Sequence, residues 1–398
     1  MSKIRKRTYE KDKINVRIYI TPIFFSLLVL IAAIHYIFSV VTAQDTISLT
    51  SRPAVVTFFN TNIFAHDSWI DVYGLEQRCM GKRQIERFKI YKTGYGKMVE
   101  VKEEYTAEEV EEKVNEIFPI IAHLNDKDVP YYYMTSILPV QDISDLPYGV
   151  SDWSHTNQLL TGKVLAERNI TIFEPDETES VKTVPKEKLF YRTDHHWTME
   201  TCFATYQGII NTMESDLGWK LNAGETTDKN NYSEYRIKDS FLGSYGVKVG
   251  KYYAGKDDFV IFIPKFSTEM LFQSYDADGE LQLEKSGDFY QALLDREILE
   301  DPTYKNKYNA ICNQACIENH IVNYSAPDSL KCLIISHSYG RPLAMYLSLN
   351  FSEVVNLDPQ KGRYEGSYID FIDTFEPDIV LLQVEIEGEI IGEFPEGD

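Results

Sequence analysis

The densest run of groups able to move a proton is Thr193-Asp194-His195-His196-Trp197. In an extended segment, side chains two apart share a face, so Asp194 and His196 point one way and His195 the other. On that shared face the Asp194 carboxylate accepts the Nδ1 proton of His196, which fixes the tautomer that leaves Nε2 free as a base. Such a base needs a nucleophile. One stands in Ile335-Ser336-His337-Ser338-Tyr339-Gly340-Arg341-Pro342, where an apolar strand ends and a helix begins. Pro342 suits the first helical position, where its missing N–H costs nothing. Backbone N–H groups of the turn and helix N-terminus then face Ser338 and favour a developing oxyanion. Ser336 shares the strand face but lies too early to reach past the sheet edge, and ranks second. Tyr339, Gly340, Arg192 and Trp197 are the neighbouring candidates for substrate or oxyanion contacts.

Blander roles compete with each assignment. Ser338 can be a helix N-cap, the commonest task of a serine at such a place. His195 alone suits a hydrogen-bonded structural role, and Trp197 suits the core. Asp and His are also ordinary metal ligands, but adjacent histidines on a strand do not aim at one ion and no third strong ligand stands near in sequence. Neither a metal nor a cofactor is expected.

The elements that must carry these groups follow from periodicity. Asn60 to Lys82 reads as mostly helical. Thr106 and Glu109 form a capping box, after which Val110, Val114, Ile117, Ile121 and Leu124 recur at helical spacing to about Asn125, with Pro119 expected to kink the helix. Val129 to Leu138 and Ile170 to Phe173 read as strands, with a charged loop from Pro175 to Lys188. Thr198 can cap a helix presenting Cys202, Tyr206, Ile209, Met213 and Leu217 on one face. Asn222 to Ser240 has the composition of a polar loop. Leu330 to Ile335, Val354 to Leu357 and Asp378 to Val384 read as strands, with a helix over Leu343 to Leu349. Strand, helix, strand spacing predicts right-handed crossovers and a parallel sheet flanked by helices, an α/β fold.

The 398 residues are 43% apolar and 13% aromatic, enough to bury a full core. A net charge of −21 excludes a nucleic-acid binder, which needs clustered Lys and Arg. Five cysteines without a CxxC pair support neither zinc nor a disulfide framework; Cys312 and Cys316, four apart, suit one helix face. Residues 18–41 carry no Asp, Glu, Lys or Arg and exceed the roughly 20 residues a spanning helix needs. Seven basic residues precede them in the first 17, against Glu10 and Asp12, which keeps the N-terminus cytoplasmic. The expected order is therefore a basic tail (1–17), a transmembrane helix (18–41), a stem (42–58) and an extracytoplasmic body (59–398) of a single-pass membrane protein. A cleaved signal peptide is the rival, though its apolar core would be shorter.

The run Thr193 to Thr198, with the downstream strand and Ser-Tyr turn, resembles the DHHW proteins of Gram-positive bacteria, in the alginate O-acetyltransferase branch of the SGNH hydrolase-like superfamily. Asp67-Ser68-Trp69 to Gly81-Lys82-Arg83, Phe241-Leu242-Gly243-Ser244-Tyr245 and Leu333 to Asp358 carry weaker parts of the likeness. It implies an SGNH-like fold and a triad of Asp194, His196 and Ser338. It also implies an acyl-serine intermediate, a cell-surface polysaccharide as acceptor and a multi-pass membrane acyltransferase supplying acetyl groups. Asn313 matches an asparagine near the site in related proteins and is a further oxyanion candidate. The family's usual Asp before the serine is His337 here; adjacent strand residues face opposite ways, so His337 is not expected to replace His196. Three readings stand: O-acetyl transfer, hydrolysis of acetyl esters by the same triad, and a silent polysaccharide-binding scaffold.

Overall fold

A computed structural model describes residues 65–385, Phe394 and scattered helical positions between 23 and 34. The transmembrane helix predicted for 18–41 lies otherwise outside the described residues, as do the stem and the basic tail. Among the described residues no helix is long and apolar enough to cross a membrane. The chain divides into two compact units, Met1–Val72 and Tyr73–Asp398. A helix over His66–Cys79 answers the helical reading of 60–82.

The second unit is built on strands β1 (Gln84–Ile85), β2 (Ile90–Lys92), β3 (Met98–Val99), β4 (Tyr131–Met134), β5 (Ile172–Phe173), β6 (Tyr232–Phe241), β7 (Asp257–Pro264), β8 (Met270–Tyr275), β9 (Leu281–Gly287), β10 (Glu318–Asn323), β11 (Lys331–Ser336), β12 (Glu353–Leu357) and β13 (Ile379–Gln383). The main sheet has the order β5-β4-β13-β11-β12-β10-β8-β9. Its first five strands are mutually parallel, as predicted. The remaining three join antiparallel, so the sheet is mixed rather than wholly parallel. The antiparallel half comes from 270–287 and 318–323, where half-solvated strands with alternating burial lack a continuous apolar run.

The parallel strands are largely apolar because both faces are covered. Along β11, Cys332 and Ile334 enter one apolar cluster while Leu333 and Ile335 enter another; Ile379 and Leu381 of β13 alternate with Val380 and Leu382 in the same way. Each such fully buried side chain contributes about 1.5–3 kcal/mol. One face packs α3 (Met199–Leu217) and α4 (Gly340–Leu347), and the other α1 (Ala107–Asp126), α2 (Ser154–Glu167) and α5 (Tyr368–Phe375). The Thr106 and Glu109 capping box is formed, and α1 runs through Pro119 without ending. Thr198 caps α3 by accepting the Thr201 N–H at 3.2 Å.

Three local expectations are corrected. The polar segment 222–240 is not all loop: its second half, from Tyr232, forms β6, paired antiparallel with β7. A ribbon with one solvated face needs few apolar residues, so its composition imitates a loop. Pro342 is the third residue of α4 rather than its first, and Tyr339, not Ser338, occupies the N-cap position without a side-chain cap bond. Cys312 lies in a 3₁₀ turn at positive φ, not on an α-helical face shared with Cys316. Described cysteines are all free.

Candidate active site

The Thr193 to Trp197 run is not a strand. It is the tip of a narrow loop closed by an antiparallel bridge between Phe190 and Trp197 and by the Tyr191 N–H donating to the His196 carbonyl at 3.2 Å. The base is held by core packing: the Tyr191 ring meets Phe241 edge-on at 4.6 Å. The tip is held by polar bonds. The Thr193 N–H donates to Asp257 Oδ2 at 2.8 Å, the Gly246 N–H to the Thr193 carbonyl at 2.8 Å, and the Gly243 N–H to Thr193 Oγ1 at 3.0 Å. Asp194 and His196 do share a side, but through an Asx-type turn in which Asp194 Oδ1 accepts the His196 N–H at 3.0 Å.

That turn delivers the pair. Asp194 Oδ1 also accepts from His196 Nδ1, while Oδ2 accepts the Ser244 N–H at 2.5 Å. On the opposite side of the ring, His196 Nε2 lies 2.7 Å from Ser338 Oγ. Asp194 and His196 are buried and Ser338 is part-exposed. Burial alone raises the Asp194 carboxyl, but the charge and hydrogen bond of His196, with the Ser244 N–H, hold it well below its ordinary value. Burial, reinforced by the neighbouring His195, pushes the His196 imidazole down to about 3. The geometry is thus an ionised carboxylate, a neutral imidazole and a hydroxyl in line, able to generate an alkoxide-like nucleophile.

Ser338 sits one residue beyond His337, just past the C-terminal end of β11. The turn is tight because Gly340 lies against Ser336: a Cβ there would stand 1.6 Å from Ser336 Oγ. Ser336, the second-ranked nucleophile, is fully buried and accepts the Asn356 amide at 3.0 Å. Of the amides in this turn, Gly340 donates to the His337 carbonyl at 2.9 Å and Tyr339 to His337 Nδ1 at 3.4 Å. The Ser338 N–H has no hydrogen-bond partner among the described residues, which makes it the better oxyanion donor of the three.

The remaining candidates are spread around this centre. Tyr339 donates from its hydroxyl to the His195 carbonyl, and Trp197 is buried edge-on to Tyr339 at 5.5 Å. Arg192 faces away, with Nε on Asp257 Oδ1 at 3.1 Å and a terminal nitrogen on the Lys256 carbonyl at 2.5 Å. Both ends of the Asn313 amide are engaged elsewhere, donating to the Ala292 carbonyl at 2.9 Å and accepting from Lys285 at 2.6 Å. His195 is part-exposed, with Nδ1 2.8 Å from Ser244 Oγ. His337 is buried, with Nε2 unbonded and 3.9 Å from Glu385 Oε2, and burial pushes its pKa down to about 3. Asp194, His195 and His196 each offer a ligand atom within 4.8 Å of the others, close enough for a metal, but the bonds to Ser338 and Ser244 already employ His196 and Asp194.

Several residues of this centre carry no sequence signal of their own. Tyr308 stacks on the His196 ring with centroids 3.9 Å apart, and its hydroxyl donates to the Ser338 carbonyl at 3.1 Å. Asp257 orders the loop tip from β7, 64 residues from its partner. The need for glycine at 243 is equally silent: a Cβ there would lie 2.2 Å from Asp194 Cβ.

Among solved structures, the chain is similar to PatB1 of Bacillus cereus with a sulfonyl adduct, at 18% identity and a TM-score of 0.60, over 77% of this chain and 97% of that one. A second PatB1 structure gives 16% identity and a TM-score of 0.58, over 76% and 97% of the two chains. A DHHW family protein from Eubacterium siraeum is similar at 14% identity and a TM-score of 0.53, over 75% and 92%. These likenesses establish a fold shared with PatB1 and with that DHHW family protein. No family model matches the sequence, and no curated protein matches it either.

Proposed function

We propose that this chain is an O-acyltransferase that moves acetyl groups onto hydroxyls of a cell-surface polysaccharide, as a membrane-anchored body facing outward. The observation that carries this reading is the 2.7 Å approach of His196 Nε2 to Ser338 Oγ, backed by the Asp194 carboxylate. In the first half-reaction Ser338 Oγ attacks the acyl carbon of the donor while His196 takes its proton. The oxyanion forms beside the Ser338 N–H; on collapse the donor's C–O bond breaks, and its alcohol leaves with the proton from His196. In the second half a sugar hydroxyl gives its proton to His196 and attacks the acyl-serine carbon. The acyl–Oγ bond breaks and Oγ regains the proton. The uncharged stretch at 18–41 and its basic flank support the anchor, and a multi-pass membrane acyltransferase is the proposed source of acetyl groups.

The test is covalent. A fluorophosphonate probe labels Ser338 in the folded chain and leaves Ser338→Ala unlabelled; well-folded protein that never labels would sink the proposal. Ser338 is part-exposed, so water reaches the same carbon and an acetylesterase is the second reading. Offering a small acetyl ester with and without oligosaccharide separates them: acetylated sugar marks transfer, and acetate alone in both marks hydrolysis.

A further inference from the structure

A cavity of about 300 Å³ is lined in part by His195, Ser244 and Tyr339, each adjacent to or bonded to a member of the triad. The His195 ring is 3.9 Å from that of His196, so the cavity and the reacting atoms are separated by one side chain. Leu138 lines both this cavity and a second hollow of about 510 Å³. Two hollows that meet at one residue suit consecutive units of a polymer.

The charges along the two hollows select their occupant. In the first cavity Glu100 and Glu385 face Lys102 and Lys248, with Glu100 and Lys248 paired at 3.6 Å, so the walls balance. In the second, Asp142, Asp152 and Asp176 line the wall with His155, and Lys186 and Lys182 act on Asp142 and Asp176 from outside the lining. A polyanion gains nothing from the first cavity and is repelled by the second. Hydroxyls fit both, because carboxylates accept their protons and lysines donate to their oxygens.

Glu385 marks the inner end. Its Oε1 accepts from Ser136 Oγ at 3.0 Å, its side chain is only 13% exposed, and its backbone sits at φ +55°, a left-handed conformation that non-glycine residues hold at a cost. Such strain gathers where a side chain must be aimed. Behind it, 3.9 Å from Oε2, lies the Nε2 of His337, which has no hydrogen-bond partner among the described residues.

From these observations we infer that the two hollows form one trough, that this trough is the acceptor subsite, and that it takes an uncharged, hydroxyl-rich glycan rather than a uronate or phosphate polymer, with Glu385 orienting an acceptor hydroxyl. This rests on the acyl-transfer reading for its role but not for its binding. The test therefore measures binding to the full-length Ser338→Ala chain by calorimetry, with the N-acetylglucosamine tetramer and the galacturonate tetramer as probes. The neutral tetramer binds at least tenfold tighter. Glu385→Gln weakens it about tenfold, and Glu100→Lys, on the exposed rim, raises affinity for the uronate at least fivefold. Equal or tighter uronate binding, binding of neither probe, or neutral binding indifferent to Glu385→Gln would overturn the inference. Binding that behaves as expected beside a wild-type Ser338 that never labels with fluorophosphonate would instead remove the acyl-transfer reading and leave a glycan-binding trough.

Discussion

Tyr308 lies almost flat on the His196 imidazole, with ring planes 18° apart and centroids separated by 3.9 Å. The same side chain ties the backbone of the nucleophile turn, since its hydroxyl donates to the Ser338 carbonyl. One residue therefore fixes both the plane of the base and the height of the serine. Tyr308→Phe keeps the stack and loses one hydrogen bond, which lowers kcat/KM for a small acetyl ester roughly fivefold, from a loss of about 1 kcal/mol. Tyr308→Ala removes both and opens a cavity: about 3–5 kcal/mol of stability is lost in a denaturant melt, and ester turnover falls far more than in the Phe variant. Equal turnover in the two variants would count against a positioning role for the ring.

Gly243 is required by space and not by backbone freedom, since its φ of −79° is open to any residue. A Cβ would meet Asp194 Oδ2 at 2.3 Å, where the carboxylate receives the Ser244 N–H. Gly243→Ala must therefore turn Asp194 away from His196, and ester turnover drops on the order of 100-fold or more, in line with loss of a triad orienter. Circular dichroism checks that the fold persists; an alanine variant with full activity would show that the carboxylate does not need its present orientation.

Under the proposed function, the depressed His196 pKa sets the acid limb of activity. The base acts when neutral, and with a pKa near 3 it stays neutral far below the ordinary histidine value. The kcat/KM profile for a small ester should therefore remain level from pH 8 to below 6 and fall only as pH approaches about 3 to 4, or until unfolding intervenes. A half-loss near pH 6.5 would mean that His196 feels neither burial nor His195 as described.

Stability should follow the same two histidines. His196 and His337 both have folded pKa values depressed to about 3 from 6.5, so the unfolded chain binds protons more readily between those limits. Their neutral burial is fully tolerated above pH 6.5 and its stability is lost as pH falls toward 3. Thermal melts should show Tm level between pH 7 and 8 and declining below about 6. His337→Gln removes one contributor and makes the decline shallower; an unchanged slope would indicate that His337 is charged in the fold.

The sheet's parallel half was legible because burial on both faces writes an uninterrupted apolar run such as Leu333 to Ile335, which can scarcely be anything else. The capping signals at Thr106 and Thr198 were legible because they are local, the partner lying three residues on. Asp194, His196 and Ser338, singled out by residue type, do meet in the fold, but Asp194 and His196 share a side for a different reason from the extended strand their spacing suggests. An extended strand and an Asx turn both bring residues two apart to one side, and only the hydrogen bond from the His196 N–H tells them apart. What stayed hidden is long-range. Tyr308, Asp257 and Gly243 act on groups from 30 residues away (Ser338) to 112 residues away (His196), and nothing in their own neighbourhood announces it. The ribbon β6 and β7 was missed because a half-wet pair of strands needs no apolar run.

His196 and Ser338 are 142 residues apart along the chain, and the bond between them closes over α3, the β6 and β7 ribbon and the antiparallel half of the sheet. Contacts of such long range form late, because the entropy of closing a long loop is spent before any contact rewards it. Reactivity at the serine is thus a clock for the last stage of assembly. During refolding, helical signal should return well before the hydroxyl regains its partner, and any trapped species with a finished core but an undocked loop would be native by spectroscopy and inert toward electrophiles.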